Sequence, residues 1–198
     1  MKNRLSGSIA YLAGPIDRAH DSGIQWRLDI QNYLWSLNIG VLNPCDKPMD
    51  WGIESESTIN ERHKLKEIAF NRYKKGLDNH NLCCDIHEQV KKIVAADLRC
   101  IDKCDFVILY IDTDVHMCGS YNEQTHACLQ RKPVVVCCKQ GKFGVPDWLW
   151  GICQHDMFFG SWNEVKDYIY SIAFNNNVEH FRRWRFFDMN KVYNREIF

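Results

Sequence analysis

The chain has 198 residues, 45 % of them apolar, and its 25 Lys+Arg balance 25 Asp+Glu to a formal charge of zero. That composition suits one globular domain spanning residues 1–198 and gives no electrostatic case for a nucleic-acid or membrane partner. No apolar stretch approaches the roughly 20 residues of a membrane span, and Ser6-Gly7-Ser8 interrupts any leader after Lys2 and Arg4, so a cytoplasmic protein with reduced cysteines is expected.

Ile9-Ala10-Tyr11-Leu12-Ala13 predicts a first strand within residues 8–13, and Gly14-Pro15-Ile16-Asp17-Arg18 then leads toward an amphipathic helix over 22–37. A strand follows at 39–42. The polar segment 43–85 carries Ile59, Leu65, Ile68, Ala69 and Tyr73 at helical spacing, which predicts a helical insertion over 57–73, long enough to act as a lid. Next come a helix at 86–99, a strand at 105–111, a helix at 120–131, a strand at 133–138, a helix at 163–173 and a terminal arm at 175–198. Phe106-Val107-Ile108-Leu109-Tyr110-Ile111 is apolar without alternation, as a parallel strand covered on both faces must be. The expected class is therefore α/β: a doubly wound, mostly parallel sheet of flavodoxin or Rossmann-like kind, with a helical insertion and a C-terminal arm.

Open α/β sheets bind ligands at the carboxyl ends of their strands, and two glycine loops fall there. One is Gly14 to Arg18. The other is Gly119-Ser120-Tyr121-Asn122-Glu123, which places Glu123 in the first turn of a helix just beyond a central strand. A helix N-terminus favours an ionised carboxylate. The same residues also read as a capping box, in which Glu123 merely returns to the Ser120 backbone N–H.

Tyr11-Leu12-Ala13-Gly14-Pro15, Asn43-Pro44, Asp97-Leu98 ahead of Asp105-Phe106-Val107, and Gly119 to Glu123 followed by Lys132-Pro133-Val134 occur in an order that resembles the nucleoside 2-deoxyribosyltransferase family. The resemblance spans about residues 8 to 138 and is nearest to phage-type members with a Gly-Pro-Ile-Asp-Arg loop and an Arg-Arg-Trp tail. It implies cleavage of the N-glycosidic bond of a 2'-deoxynucleoside or its 5'-monophosphate, with transfer to another base or to water. By resemblance Glu123 is the nucleophile, capturing C1' as a glycosyl ester, and Asp97 orients or protonates the leaving base. The alternative for Asp97 is a surface helix residue paired with Arg99. No cofactor or metal is implied. Met117 stands where these enzymes often place another Asp, and a one-residue gap would bring Asp114 or Asp112 there instead.

Gly14, Pro15, Ile16, Asp17 and Arg18 are expected to border the base or cradle a phosphate with the Arg18 fork, the alternative being a surface Asp17-Arg18 turn pair. Tyr11 and Trp26 are candidates for stacking on a base, or else core aromatics. His116, Gly119, Ser120 and Asn122 complete the candidate substrate-binding set. The resemblance also implies a homodimer or larger assembly in which a neighbouring subunit completes the site, a role open to the terminal arm.

His80, Cys83, Cys84 and His87 have a zinc-like composition, but adjacent cysteines seldom both face one tetrahedral ion. Arg182, Arg183, Trp184, Arg185 and Phe186 are expected to form a docked arm in preference to a single-strand nucleic-acid platform. Two rivals remain. One is a nucleotide phosphoribohydrolase or NAD-type glycohydrolase; the other is a non-catalytic nucleotide-sensing module in which Glu123 only caps its helix.

Overall fold

The computed structural model describes residues 3–47, 56–74, 80–175 and 183–187. In chain order the elements are β1 (Ile9–Ala13), α1 (Ile24–Ser36), β2 (Gly40–Leu42), α2 (Glu56–Lys74), α3 (His80–Lys103), β3 (Phe106–Ile111), α4 (Cys118–Leu129), β4 (Val134–Cys138), α5 (Asp147–Ile152), β5 (Phe158–Phe159) and α6 (Trp162–Phe174). The strands form one parallel sheet in the order β2-β1-β3-β4-β5. The chain winds one way from β1 to β2 and the other way from β3 to β5. Its direction therefore reverses between β1 and β3, where a crevice opens at the carboxyl ends of the strands.

Alternate strand residues serve opposite faces. Ala10, Leu12, Phe106, Ile108, Val135 and Cys137 pack on Ile30 and Leu34 of α1 and on Val165, Ile169 and Ile172 of α6. Tyr11, Ala13, Val107, Leu109, Val136 and Cys138 face the other way, toward Ile101 of α3, Ala127 of α4 and Leu149 of α5. In the arm, Trp184 is buried with its ring 5.1 Å from that of Phe106, Phe186 stacks on Phe106 at 6.1 Å, and Trp184 Nε1 donates to the Tyr168 hydroxyl. These two rings are committed to the core and offer no platform for bases. No helix among the described residues is long and apolar enough to cross a membrane.

Two differences from the sequence reading concern extents. The helix expected at 86–99 begins at His80 and continues to Lys103, because Ile86, Val90, Ile93, Val94, Asp97 and Ile101 form one unbroken helical stripe. The zinc-like run consequently lies on its first turns, with the His80 and Cys83 side chains outside the described residues. Residues 48–55 and 75–79 of the expected insertion, and 176–182 and 188–198 of the arm, also lie outside them. The second difference is α5 and β5: a six-residue helix and a two-residue strand are too short to carry a periodic signature.

The loop from β1 to α1 is closed by Arg27, a fully buried residue of α1. Its Nε donates to Leu12 O at 3.2 Å, Nη2 to Gly14 O at 2.8 Å, and Nη1 to Gly23 O at 2.7 Å and Pro15 O at 3.4 Å. Gly23 starts α1 in the left-handed region at φ 67, and a Cβ there would lie 2.3 Å from Pro15 O. At Gly14 a Cβ would lie 2.6 Å from Trp26 Cζ2. The missing side chain thus admits a protein ring rather than a ligand. Gly119, in the first turn of α4, has nothing within 4 Å of such a Cβ. Gly14→Ala is expected to destabilise by about 1–3 kcal/mol through overpacking. Gly119→Ala is expected to be neutral or to stabilise by up to about 1 kcal/mol. Urea midpoints of the two variants check the contrast.

Candidate functional site

A cavity of about 210 Å³ opens at the crevice between β1 and β3, bordered by the β1–α1 loop, α2, α3 and the start of α4. A larger cavity of about 390 Å³ between α2 and α3 is lined by Ala69, Phe70, Ile86 and Val90 among others and holds no carboxylate. The carboxylates Glu123 and Asp97 both line the smaller one.

Glu123 lines it from the second turn of α4. The helix starts at Cys118 after Met117, and no side chain caps it, so the capping box foreseen for Ser120 and Glu123 is not formed. Ser120 is a buried cavity residue, and Glu123 Oε1 instead accepts a 2.7 Å hydrogen bond from the Tyr11 hydroxyl. Tyr11 belongs to β1 and is wholly buried, which corrects its reading as a stacking surface. Burial, followed by the charge of Glu123, raises its phenol well above the ordinary value, so it acts as a donor. At Glu123 burial outweighs the stabilisation of the ionised form expected from a helix terminus. Burial pushes its carboxyl from 4.5 up to about 7, with Asp97 adding to the rise and Tyr11, Arg27 and Lys47 opposing it.

Asp97 lines the same cavity from α3, at the end of the apolar stripe Val90, Ile93 and Val94. Its partner is Lys47, not Arg99: Lys47 Nζ lies 3.1 Å from Asp97 Oδ1 and also donates to Pro44 O at 2.8 Å. The Asn43-Pro44 turn delivers this buried lysine, with Asn43 Oδ1 accepting from Cys45 N and Asn43 O accepting from Asp46 N. A lysine three residues beyond an Asn-Pro turn is a weak signal, and nothing in its local spacing pairs it with Asp97.

Gly14, Pro15, Ile16 and Asp17 line the cavity, as do His116, Met117 and Gly119. Arg18 does not. It is exposed beside Glu67 and Phe70 in an adjoining recess, and Asp17 faces Arg62 at 3.7 Å and His63 at 3.8 Å instead of forming a turn pair with it. Arg62 and Lys66, on one face of α2 with His63 beside them, bring the cationic character to the cavity rim. The Arg62–Lys66 spacing was visible in the sequence, but its facing partner was not.

Three further expectations are corrected. Trp26 packs behind Gly14, 5.3 Å from the Tyr110 ring and stacked 5.2 Å from Trp162, outside the cavity. Asn122 is exposed and does not line the cavity. Asp112 is held by Lys139 and Gln140, each at 2.8 Å, and Asp114 by Gln140 at 3.1 Å, so neither takes the place of Met117 at the cavity wall.

The arrangement joins a half-buried carboxylate with a tyrosine donor, a second carboxylate backed by an ammonium, an apolar wall and a cationic rim. Among the described residues no cluster of His, Cys, Asp and Glu is arranged to hold a metal ion.

No family model and no curated protein matches the chain. Solved structures do resemble it. One, of a 2-deoxyribosyltransferase from the psychrotolerant bacterium Bacillus psychrosaccharolyticus, is 15 % identical and aligns over 81 % of this chain and 92 % of its own with a TM-score of 0.53. Another, of a Clostridium botulinum CMP N-glycosidase, is 13 % identical over 82 % of this chain and 98 % of its own, with a TM-score of 0.43. At such identities the first likeness is one of fold, and it agrees with the five-stranded parallel α/β sheet described above.

Proposed function

We propose that this protein cleaves, or transfers at, the N-glycosidic bond of a 2'-deoxynucleoside or its 5'-monophosphate, with Glu123 as nucleophile. The observation that carries the reading is the Glu123 carboxylate, held by the Tyr11 hydroxyl in a crevice that a second carboxylate, Asp97, shares. An oxocarbenium-like centre at C1' calls for a carboxylate on one face of the sugar, and the ester formed divides one hard displacement into two easier ones. In the first step the Glu123–C1' bond forms as the C1'–N bond breaks. The departing nitrogen takes a proton through Asp97 from the neighbouring Lys47 ammonium. In the second step a base or water attacks C1', frees Glu123 and returns a proton to the pair. Val90, Ile93 and Val94 offer the base an apolar wall, and α2 covers the sugar end as a lid. The cytosol is the compartment that suits this chemistry and these free thiols.

The rim formed by Arg62, His63 and Lys66 favours an anionic substituent on the sugar, which a 5'-phosphate provides. The phosphate role expected of Arg18 therefore passes to α2.

Glu123→Gln is expected to lose about a thousandfold or more of kcat, and a slow 2'-fluoro substrate should leave a deoxyribosyl adduct on Glu123 that mass spectrometry locates. Turnover near wild type would remove the nucleophile assignment. The same substitution should stabilise the fold. A folded-state pKa of about 7 against 4.5 favours the protonated form, so stability is fullest below 4.5 and falls as pH rises to about 7. The neutral isostere escapes that loss, by about 3 kcal/mol at pH 8. Its advantage in denaturant midpoint should vanish at pH 4. In the wild type, kcat/KM should rise with pH through about 7 as Glu123 ionises, and Asp97→Asn should move that limb to lower pH.

Asp97→Asn is expected to cost about a hundredfold or more with poor leaving bases and much less with activated ones. Equal losses across a leaving-group series would reduce Asp97 to a positioning residue.

Arg62→Ala is expected to raise KM for a deoxynucleoside 5'-monophosphate by about ten- to a hundredfold while leaving that for the nucleoside nearly unchanged, with Arg18→Ala affecting neither. Proportionate losses on both substrates would sink phosphate recognition and leave the nucleoside reading standing.

A further inference from the structure

Away from the cavity, near the end of α4 and just after α5, two half-buried thiols meet. Cys128 Sγ lies 3.6 Å from Cys153 Sγ, and Gln124 Nε2 donates to Cys153 at 2.9 Å and to Cys128 at 3.5 Å. Gln124 is itself fully buried, so an amide fixed by packing holds both sulfurs in place. We infer that Cys128 and Cys153 are a redox modification site, a dithiol that a small disulfide oxidant such as oxidised glutathione converts to an intramolecular disulfide.

A disulfide needs its sulfurs about 2 Å apart, and side-chain rotation from 3.6 Å supplies the difference without moving either helix axis far. The surroundings divide the labour between the thiols. Hydrogen bonding from Cys153, with help from the Arg183 charge and Gln124, brings the Cys128 thiol down to about 7 against the effect of burial, while Cys153 is driven up by the same hydrogen bond. The thiolate is the nucleophile, so Cys128 attacks and Cys153 resolves. By contrast, burial pushes Cys104 and Cys137 up to about 12 and keeps them inert.

The steps balance as thiol–disulfide exchange. The Cys128 thiolate attacks one sulfur of oxidised glutathione, the glutathione S–S bond breaks, and one glutathione thiolate leaves with a proton taken from Cys153. Cys153 then attacks Cys128 Sγ and expels the second glutathione thiolate, which takes its proton from water. Two protein thiols become one disulfide, and one oxidised glutathione becomes two reduced ones. The new bond tethers α4, the helix that carries Glu123 and Ser120, to the α5 region across 25 positions of sequence.

The test uses the full chain, reduced and then incubated with oxidised glutathione, quenched with acid, alkylated and digested without reductant for mass spectrometry. A peptide pair linked through Cys128 and Cys153, with no glutathione retained on either, is expected. Cys153→Ser should retain glutathione on Cys128, and Cys128→Ser should leave Cys153 unmodified. Wild-type protein in which Cys128 keeps its glutathione, or in which both thiols are simply alkylated, would overturn the proposal whatever the variants do. Binding of one phenylarsine oxide per chain, protecting both cysteines from alkylation, is a second expected result on the wild type. Loss of neither thiol to the arsenical would count against the pair. None of these readouts depends on turnover, so they stand or fall apart from the glycosidic reading.

Discussion

The buried Arg27 guanidinium is the constraint from which the crevice follows. A chain leaving a buried strand for a helix on the far face exposes its last carbonyls to an apolar interior, where each unpaired oxygen is costly. Leu12, Gly14, Pro15 and Gly23 turn theirs onto one planar cation, which at the same time lies 4.4 Å from the Trp26 ring centroid. Truncating Arg27 would strand those oxygens together, so the loop is an all-or-nothing structure. The close approach at Gly14 and Gly23 is part of the same solution, since a side chain at either would displace Trp26 or the guanidinium. What is left on the open side of that loop is a wall of fixed shape, from Gly14 to Asp17.

A rigid wall allows a carboxylate to be buried against it. Glu123 is held in a state that burial opposes, and a proton competes for it near neutrality. Tyr11, Arg27 and Lys47 work against that penalty, and each comes from a different part of the fold: a strand, a helix behind the sheet and the turn after β2. The cost in stability and the nucleophilic poise proposed for Glu123 are thus one physical fact. A carboxylate solvated at an ordinary helix N-terminus would be fully ionised and stable, and it would also be well hydrated and slow to attack.

How far the sequence revealed this depends on the range of the interaction. The strands at β1, β3 and β4 were legible because parallel strands covered on both faces are continuous apolar runs, and Glu123 was legible because its loop follows such a strand. Its environment was not. Ser120-Tyr121-Asn122-Glu123 has the local spacing of a capping box, and only the start of the helix at Cys118, set by the path out of β3, excludes it. Trp26 and Arg27 are neighbours on one helix, and nothing local says that the ring fills the space beside Gly14 while the cation serves β1. Arg18 looked like the cation of the first loop because it is nearest in sequence, whereas Arg62 arrives from more than forty positions away and faces Asp17. Lys47 and Asp97 are fifty positions apart. Pairings of that kind are made by topology, and single-sequence spacing carries no record of them.

Register is the final link between topology and chemistry. Tyr11 aligns with Leu42 on one side and Val107 on the other, which turns its ring toward the face covered by α3 and α4, the two helices that carry Asp97 and Glu123. Leu12, one residue on, turns the opposite way into the α1 and α6 layer. A slip of one residue in β1 would exchange the two, burying a phenol among aliphatic side chains and leaving Glu123 without its donor. The apolar content of both layers penalises that slip, so the forces that select the sheet register also select the hydrogen bond at Glu123. The contact on which the proposed chemistry rests is therefore anchored in a central strand, while the cationic rim is carried by α2, a helix that packs on α3 outside the sheet. Such a division suits the proposed reaction, in which the reacting atoms need fixed geometry and the far end of the substrate needs room for entry and release.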